Sequence, residues 1–162
     1  MLKRSLAVAS AGLVVAVLAV AAPFASAAHA SHAIKLTLHS FNTGSKGKPD
    51  QPGNRQTGVG LVTGQPIGQG VSTLSDKVTS ASQSGIKFVG VFTIYTVHGS
   101  MTGKIHLTVK PNSSGGATGS GTGKLVSGTG AYKGITGSFT FRGDQSPNAP
   151  DFTAHLEGSA TY

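Results

Sequence analysis

The run Met101-Thr102-Gly103-Lys104-Ile105-His106-Leu107-Thr108-Val109-Lys110 decides the fold. In an extended chain Met101, Gly103, Ile105, Leu107 and Val109 fall on one face, and Thr102, Lys104, His106, Thr108 and Lys110 on the other. Apolar residues at every second position describe a strand with one buried side. Ile135, Phe139 and Phe141 alternate in the same way with Thr136, Ser138, Thr140 and Arg142. So do Phe152, Ala154, Leu156, Ala160 and Tyr162 with Thr153, His155, Glu157, Ser159 and Thr161. Weaker alternation over 34–41, 57–64, 70–78, 86–98 and 118–127 brings the expected total to about eight strands.

Composition agrees with an all-β chain. The 162 residues include 24 glycines, and glycine costs about 1 kcal/mol per helical position relative to alanine. Eight short strands in one small domain make a closed antiparallel barrel or a sandwich. The barrel is favoured, because glycine within strands marks the bulges and corners that closure needs. Gly103, Gly119, Gly121, Gly123, Gly137 and Gly158 all fall inside expected strands. The polar, Gly- and Pro-rich stretch 42–56 reads as a flexible loop.

The first 27 residues read as a signal peptide. Lys3 and Arg4 precede an apolar run that ends at Pro23, and Ala25-Ser26-Ala27 is a small-residue cleavage pattern. Cut there, the mature chain is expected to be a single barrel domain over 28–162, secreted to the extracellular side; a second possible cut follows Ala30. A membrane contact is expected only through that leader. Without cysteine, disulfides, thiolate metal sites and cysteine nucleophiles are excluded.

Past the leader, eleven cations stand against five acids. They are spread along the chain, without the dense run and interleaved aromatics of a nucleic-acid reader, so no nucleic-acid partner is expected. An exported basic protein would sooner meet an anionic wall polymer, here through Lys104, Lys110 and Lys124. The 86–98 segment, bounded by Ile86 and His98, is apolar on both faces: Phe88, Phe92 and Ile94 on one, Val89, Val91, Tyr95 and Val97 on the other. It reads either as a homo-oligomer interface or as a strand covered by the protein's own loop.

Motifs for catalysis or cofactors are weak. Gly119-Ser120-Gly121-Thr122-Gly123-Lys124 lacks the glycine five places before the Gly-Lys pair and the hydroxyl after it that a phosphate-binding loop requires. His29, His32 and His39 have poor spacing for a metal, and no metal or cofactor is expected. Asp50, Asp76, Asp144, Asp151 and Glu157 contain no pair spaced for shared acid and base work. A serine elbow, Gly-x-Ser-x-Gly, is absent.

The stretch from Gly121 to Phe141, GTGKLVSGTGAYKGITGSFTF, resembles the strand-turn-strand signature of the allene oxide cyclase-like and dirigent-like barrels. Gly128, Thr129, Gly130, Tyr132, Gly134 and Gly137 carry the likeness, and Val97 to Ile105 is similar to the hairpin before it. Gly128 and Gly130 are expected to permit a tight reversal, Tyr132 to anchor the turn on the barrel end, and Gly137 to let the next strand bend. The resemblance implies an eight-stranded antiparallel barrel around an apolar cavity, in which plant members confine a reactive intermediate. The arginines that follow the aromatic in dirigent-like proteins are replaced here by Lys133 and Thr136.

The leading expectation is a non-enzymatic, secreted or surface-associated barrel for a small apolar ligand. Its cavity is expected to be lined by Met101, Ile105, Leu107, Phe139, Phe141 and Leu156. Side chains of an eight-stranded barrel can also fill it, so hollow and filled interiors both stand. An isomerase or cyclase acting by confinement is the alternative, with Tyr95 or Tyr132 as hydrogen-bond donor. It requires a pocket above about 300 Å³ holding at least one buried ionisable group. A wall- or matrix-associated adhesion protein is the third reading.

Overall fold

The computed structural model describes residues 30–48, 50–149 and 151–162. The leader through Ala27 with its first cut site, and His29, lie outside the described residues; the second cut site, after Ala30, falls at the start of β1. Eight strands follow one another: β1 (Ser31–Lys46), β2 (Arg55–Gln65), β3 (Gly68–Ser82), β4 (Gly85–Thr96), β5 (Gly99–Pro111), β6 (Ala117–Gly128), β7 (Thr136–Gln145) and β8 (Asp151–Thr161). Each pairs antiparallel with the next, and β8 returns to β1 with Leu156 opposite Leu36, so the sheet closes into a barrel. Closure leaves no free sheet edge, and every strand has a ladder on both sides.

The alternation read in the sequence sets which side chains point inward. Ile34, Leu36, Val62, Phe88, Phe92, Ile94, Ile105, Phe139, Phe141 and Leu156 are all buried. Glycine serves a purpose other than the expected corners. Register shifts occur at Asn42/Gly44, Val78/Ser80 and Thr102/Gly103, so of the six strand glycines only Gly103 adjoins one. A β-carbon at Gly103 would collide with the Phe92 ring, one at Gly123 with the Phe139 ring, and one at Gly119 would lie 2.7 Å from Phe152 Cζ. Phenylalanine rings therefore lie on bare glycine backbone of the next strand or, for Phe152, of the strand two away. The barrel is narrow enough that ring and β-carbon cannot share the same space.

One end of the barrel is filled. There the β6–β7 connection makes a single 3₁₀ turn, Gly130–Tyr132, folded beneath the strands. Tyr132, 3% exposed, packs edge-to-face on Tyr162 at 5.4 Å, and Ile135 is 1% exposed. Gly130 (φ 59°) and Gly134 (φ 81°) take the left-handed conformations of this turn. Gly128 does not. Its constraint is close approach, since a β-carbon would collide with the Tyr132 carbonyl, and Gly137 is similarly pressed against Ser159 and Ala160.

The two ends of the segment 42–56 are strand, 42–46 in β1 and 55–56 in β2. Asn42 to Lys46 continue β1 and pair with Arg55 to Gly58, with one bulge. The connection itself is held by Asn54, 2% exposed, whose Nδ2 donates to Ser45 Oγ at 2.9 Å. The Asn54 carbonyl accepts the Val78 amide at 2.9 Å, and the Gly53 amide donates to the Val78 carbonyl at 2.9 Å. Polar composition hid these strand ends, because the connection that closes their ladder is pinned in part by backbone bonds to Val78 on β3.

Outside, the two halves of the barrel differ. On β2–β4, Leu61, Val71 and Tyr95 are opposite one another in register and half exposed. The chain's own loops leave Val91 and Tyr95 open at 45% and 48%. On β5–β8 a groove of about 870 Å³ carries Lys104, Lys124, His106 and Glu157 among Ser and Thr hydroxyls. Lys104 stands directly opposite Lys124, and among the described residues no lysine or arginine forms an ion pair with an acid.

Two stability outcomes follow from this packing. Phe139→Ala lowers unfolding free energy by about 3–5 kcal/mol and Gly123→Ala by about 1–3 kcal/mol, while the double variant loses clearly less than their sum in chemical denaturation. Strict additivity would show that ring and glycine do not share one packing site. Asn54→Ala lowers stability by about 1–3 kcal/mol in the same measurement, through the hydrogen bond it deletes in a buried position.

Candidate functional site

Above the filled floor the interior is hollow. A cavity of about 320 Å³ opens at the end formed by the β1–β2, β3–β4, β5–β6 and β7–β8 connections. Its walls are apolar side chains from every strand but β6, including Leu38, Leu74, Phe88, Phe92, Phe141 and Phe152. Phe141 and Phe152 are stacked, with centroids 5.8 Å apart and planes 12° from parallel. Below, among Ile34, Met101, Leu125, Ile135 and Phe139, only about 10 Å³ remains, less than a water molecule's share of space.

Four of the residues expected to line a cavity do so: Ile105, Leu107, Phe141 and Leu156. Met101 and Phe139 also point inward but sit in the filled half, with Phe139 packed edge-on against Phe92 at 5.5 Å. Strand parity assigns a face, and height along the barrel axis separates wall from floor. Neither tyrosine reaches the cavity. Tyr95 follows inward Ile94 on β4 and so points outward, and Tyr132 is locked into the floor. Neither is placed to donate to a molecule in the hollow half.

The polar centre of the cavity is Asp76 on β3. It is 8% exposed, and its Oδ1 has no hydrogen-bond partner. Gly90 stands opposite on β4, where a β-carbon would come within 2.7 Å of Asp76 Cβ, so glycine makes the room that the carboxylate occupies. Burial strips water from the charged form and raises its pKa from 3.8 to about 6. A carboxyl in that range is half protonated in mildly acidic water and can either give or accept a proton. Sequence reading passed over it for want of a second carboxylate at useful spacing. The available signal was parity: Asp76 shares the inward face of β3 with Leu74 and Val78, which makes it a charge in an apolar row.

Around Asp76 the remaining polar groups are neutral. Ser40, Ser72, Gln56, Thr57 and Gln145 contribute hydroxyls and amides, and Asp50 lies in the lining of the open end. The candidate histidines are elsewhere. His32 stacks on Tyr162 at 4.3 Å, His39 lies 3.7 Å from Asp151, and His106 and His155 are exposed on the outer face. No cluster of three metal-ligating side chains occurs among the described residues.

No family model matches the chain. No curated protein matches it in sequence. Among solved structures it is similar to a pyocyanin demethylase, with a TM-score of 0.50 and 18% identity over 77% of this chain and 99% of that one. It is also similar to a pterocarpan synthase dirigent protein, with a TM-score of 0.57 and 13% identity over 83% and 97% of the respective chains. Both are eight-stranded barrels, and the likeness is one of fold.

The Asp76 environment has a measurable consequence. Because the folded carboxyl takes up its proton near pH 6 and the unfolded one near 3.8, the folded state binds more protons between those values. Stability therefore falls as pH rises through that window and stays lower above it. Asp76→Asn removes this dependence. It raises stability at pH 8 by about 1–2 kcal/mol, reduced from the full shift by solvent at the open mouth, and changes little at pH 3.5. Parallel pH profiles for the two proteins would show that the carboxyl is not desolvated.

Proposed function

We propose that the chain is an exported β-barrel that holds one small, largely apolar molecule in the open half of its interior. The observation that carries this reading is the cavity of about 320 Å³, walled by leucine and phenylalanine and containing one buried acid. That volume suits a molecule of two or three rings, and apolar walls with few polar groups are the usual make-up of a ligand site. Fold neighbours support the reading to the extent of their names, a pyocyanin demethylase and a dirigent protein of pterocarpan synthesis. Export rests on the leader read in the sequence.

Asp76 favours a second reading, in which the barrel confines a reactive molecule and the carboxyl moves a proton on it. Volume and buried ionisable group together meet the requirement for a confinement enzyme. A ligand recovered from the producing culture separates the two. Returned unchanged after incubation, it supports binding. Converted by the natural protein and left intact by Asp76→Asn, it supports catalysis.

The cavity itself is tested with a neutral three-ring dye, N-phenyl-1-naphthylamine. Its fluorescence rises on saturable, one-to-one binding to the protein. Leu107→Trp, which fills the hollow half, weakens that binding by about tenfold or more while the barrel still melts cooperatively. Absence of saturable binding to the unmodified protein removes the reading.

A further inference from the structure

The charges of this protein are sorted by side. Eleven lysines and arginines follow the leader, yet no lysine, arginine or histidine lines the cavity. Of five acids, two do: Asp76 in the wall and Asp50 at the open end. In a chain this basic, an interior with acids and no bases is set against the composition of the whole.

Asp76 is also unfinished as a buried group. An ionised carboxylate taken out of water is costly unless a cation or donors compensate it, and Oδ1 has neither. Ser72, on the same face of β3, makes no hydrogen bond to it. A neutral apolar guest would displace the remaining water and leave the charge barer still. An anion would be repelled. A guest with a positive group would supply what the protein withholds.

The opposite wall suits the same guest. β3 and β7 stand four strands apart in a ring of eight, so Asp76 faces the side of the barrel that carries the stacked Phe141 and Phe152 rings. Phenyl faces attract cations and stack on flat rings, most strongly where water is excluded. Asp50 at the mouth adds attraction for an incoming positive charge against a cationic exterior.

We propose that the molecule this cavity takes is an organic cation, a compact ring system with one basic nitrogen, whose charge rests against Asp76 while its rings lie against Phe141 and Phe152. The proposal rests on the cavity reading above and narrows it to one class of ligand.

The test is a charge series on one skeleton, 1-naphthylmethylammonium, 1-naphthylmethanol and 1-naphthoate, each displacing the neutral dye at pH 7.5 in about 0.15 M salt, where exposed charges are largely screened. The protein's outer surface favours the anion, so preference for the cation cannot arise there. The ammonium displaces dye at a concentration about tenfold below that of the alcohol, and the naphthoate is weakest. In Asp76→Asn, checked for a single cooperative melting transition no lower than that of the unmodified protein, the ammonium loses that advantage while the alcohol still displaces the dye. Equal displacement by ammonium and alcohol on the unmodified protein overturns the proposal, as does an ammonium advantage that survives Asp76→Asn. Dye binding in either of those outcomes leaves the cavity reading standing. Failure of the dye to bind removes that reading and this one together.

Discussion

The barrel depends on phenylalanine rings lying on glycine. An eight-stranded ring of this size has room inside for large side chains from some strands only if others contribute none. Here β6 presents Gly119, Gly121 and Gly123 on its inner parity; Phe152 and Phe141 occupy the space released at Gly119 and Phe139 that at Gly123, while Gly121 lies close against the β5 backbone. Gly103 does the same for Phe92 on β4. The residue most unfavourable in a strand interior is thus paired with the one that buries most area. The rings shield the exposed glycine backbone while the glycines let the rings lie close.

From that complementarity follows the division of the interior into two halves. Toward the floor, Met101, Leu125 and Ile135 from β5, β6 and the 3₁₀ connection interdigitate with Phe139, and Tyr132 seals the end. Toward the mouth, Gly58 on β2, Ser72 on β3 and the short side chain of Ser40 on β1 leave the middle empty. The same wall holds a carboxylate without a partner. A fold that excludes water at one end and admits it at the other can keep such a group ionisable without leaving it fully hydrated.

Charge is distributed by the same closure. Outward parity on β5 to β8 collects lysine, histidine, serine and threonine, and Lys104 and Lys124 are opposite one another although like charges across a ladder repel. Inward parity carries no cation. Basic character is therefore a property of the surface, and the chemistry of the interior has the opposite sign.

Much of this was legible along the chain. Period two over Met101 to Lys110, Ile135 to Arg142 and Phe152 to Tyr162 determined strands and their buried faces, because side-chain alternation is a local property of extended backbone. Glycine frequency pointed to a barrel, although for clearance of rings and not for corners. The strand character of Asn42 to Lys46 was hidden, since these polar residues pair with Arg55 to Gly58 across a connection whose Asn54 is also held by β3, more than twenty residues further on. Only the tertiary structure decided that Tyr95 and Tyr132 lie away from the cavity, that Met101 and Phe139 are floor rather than wall, and that Asp76 faces an apolar space alone. Whether an interior is full or empty depends on summed volumes from eight strands meeting at one height, and no window of sequence contains that sum.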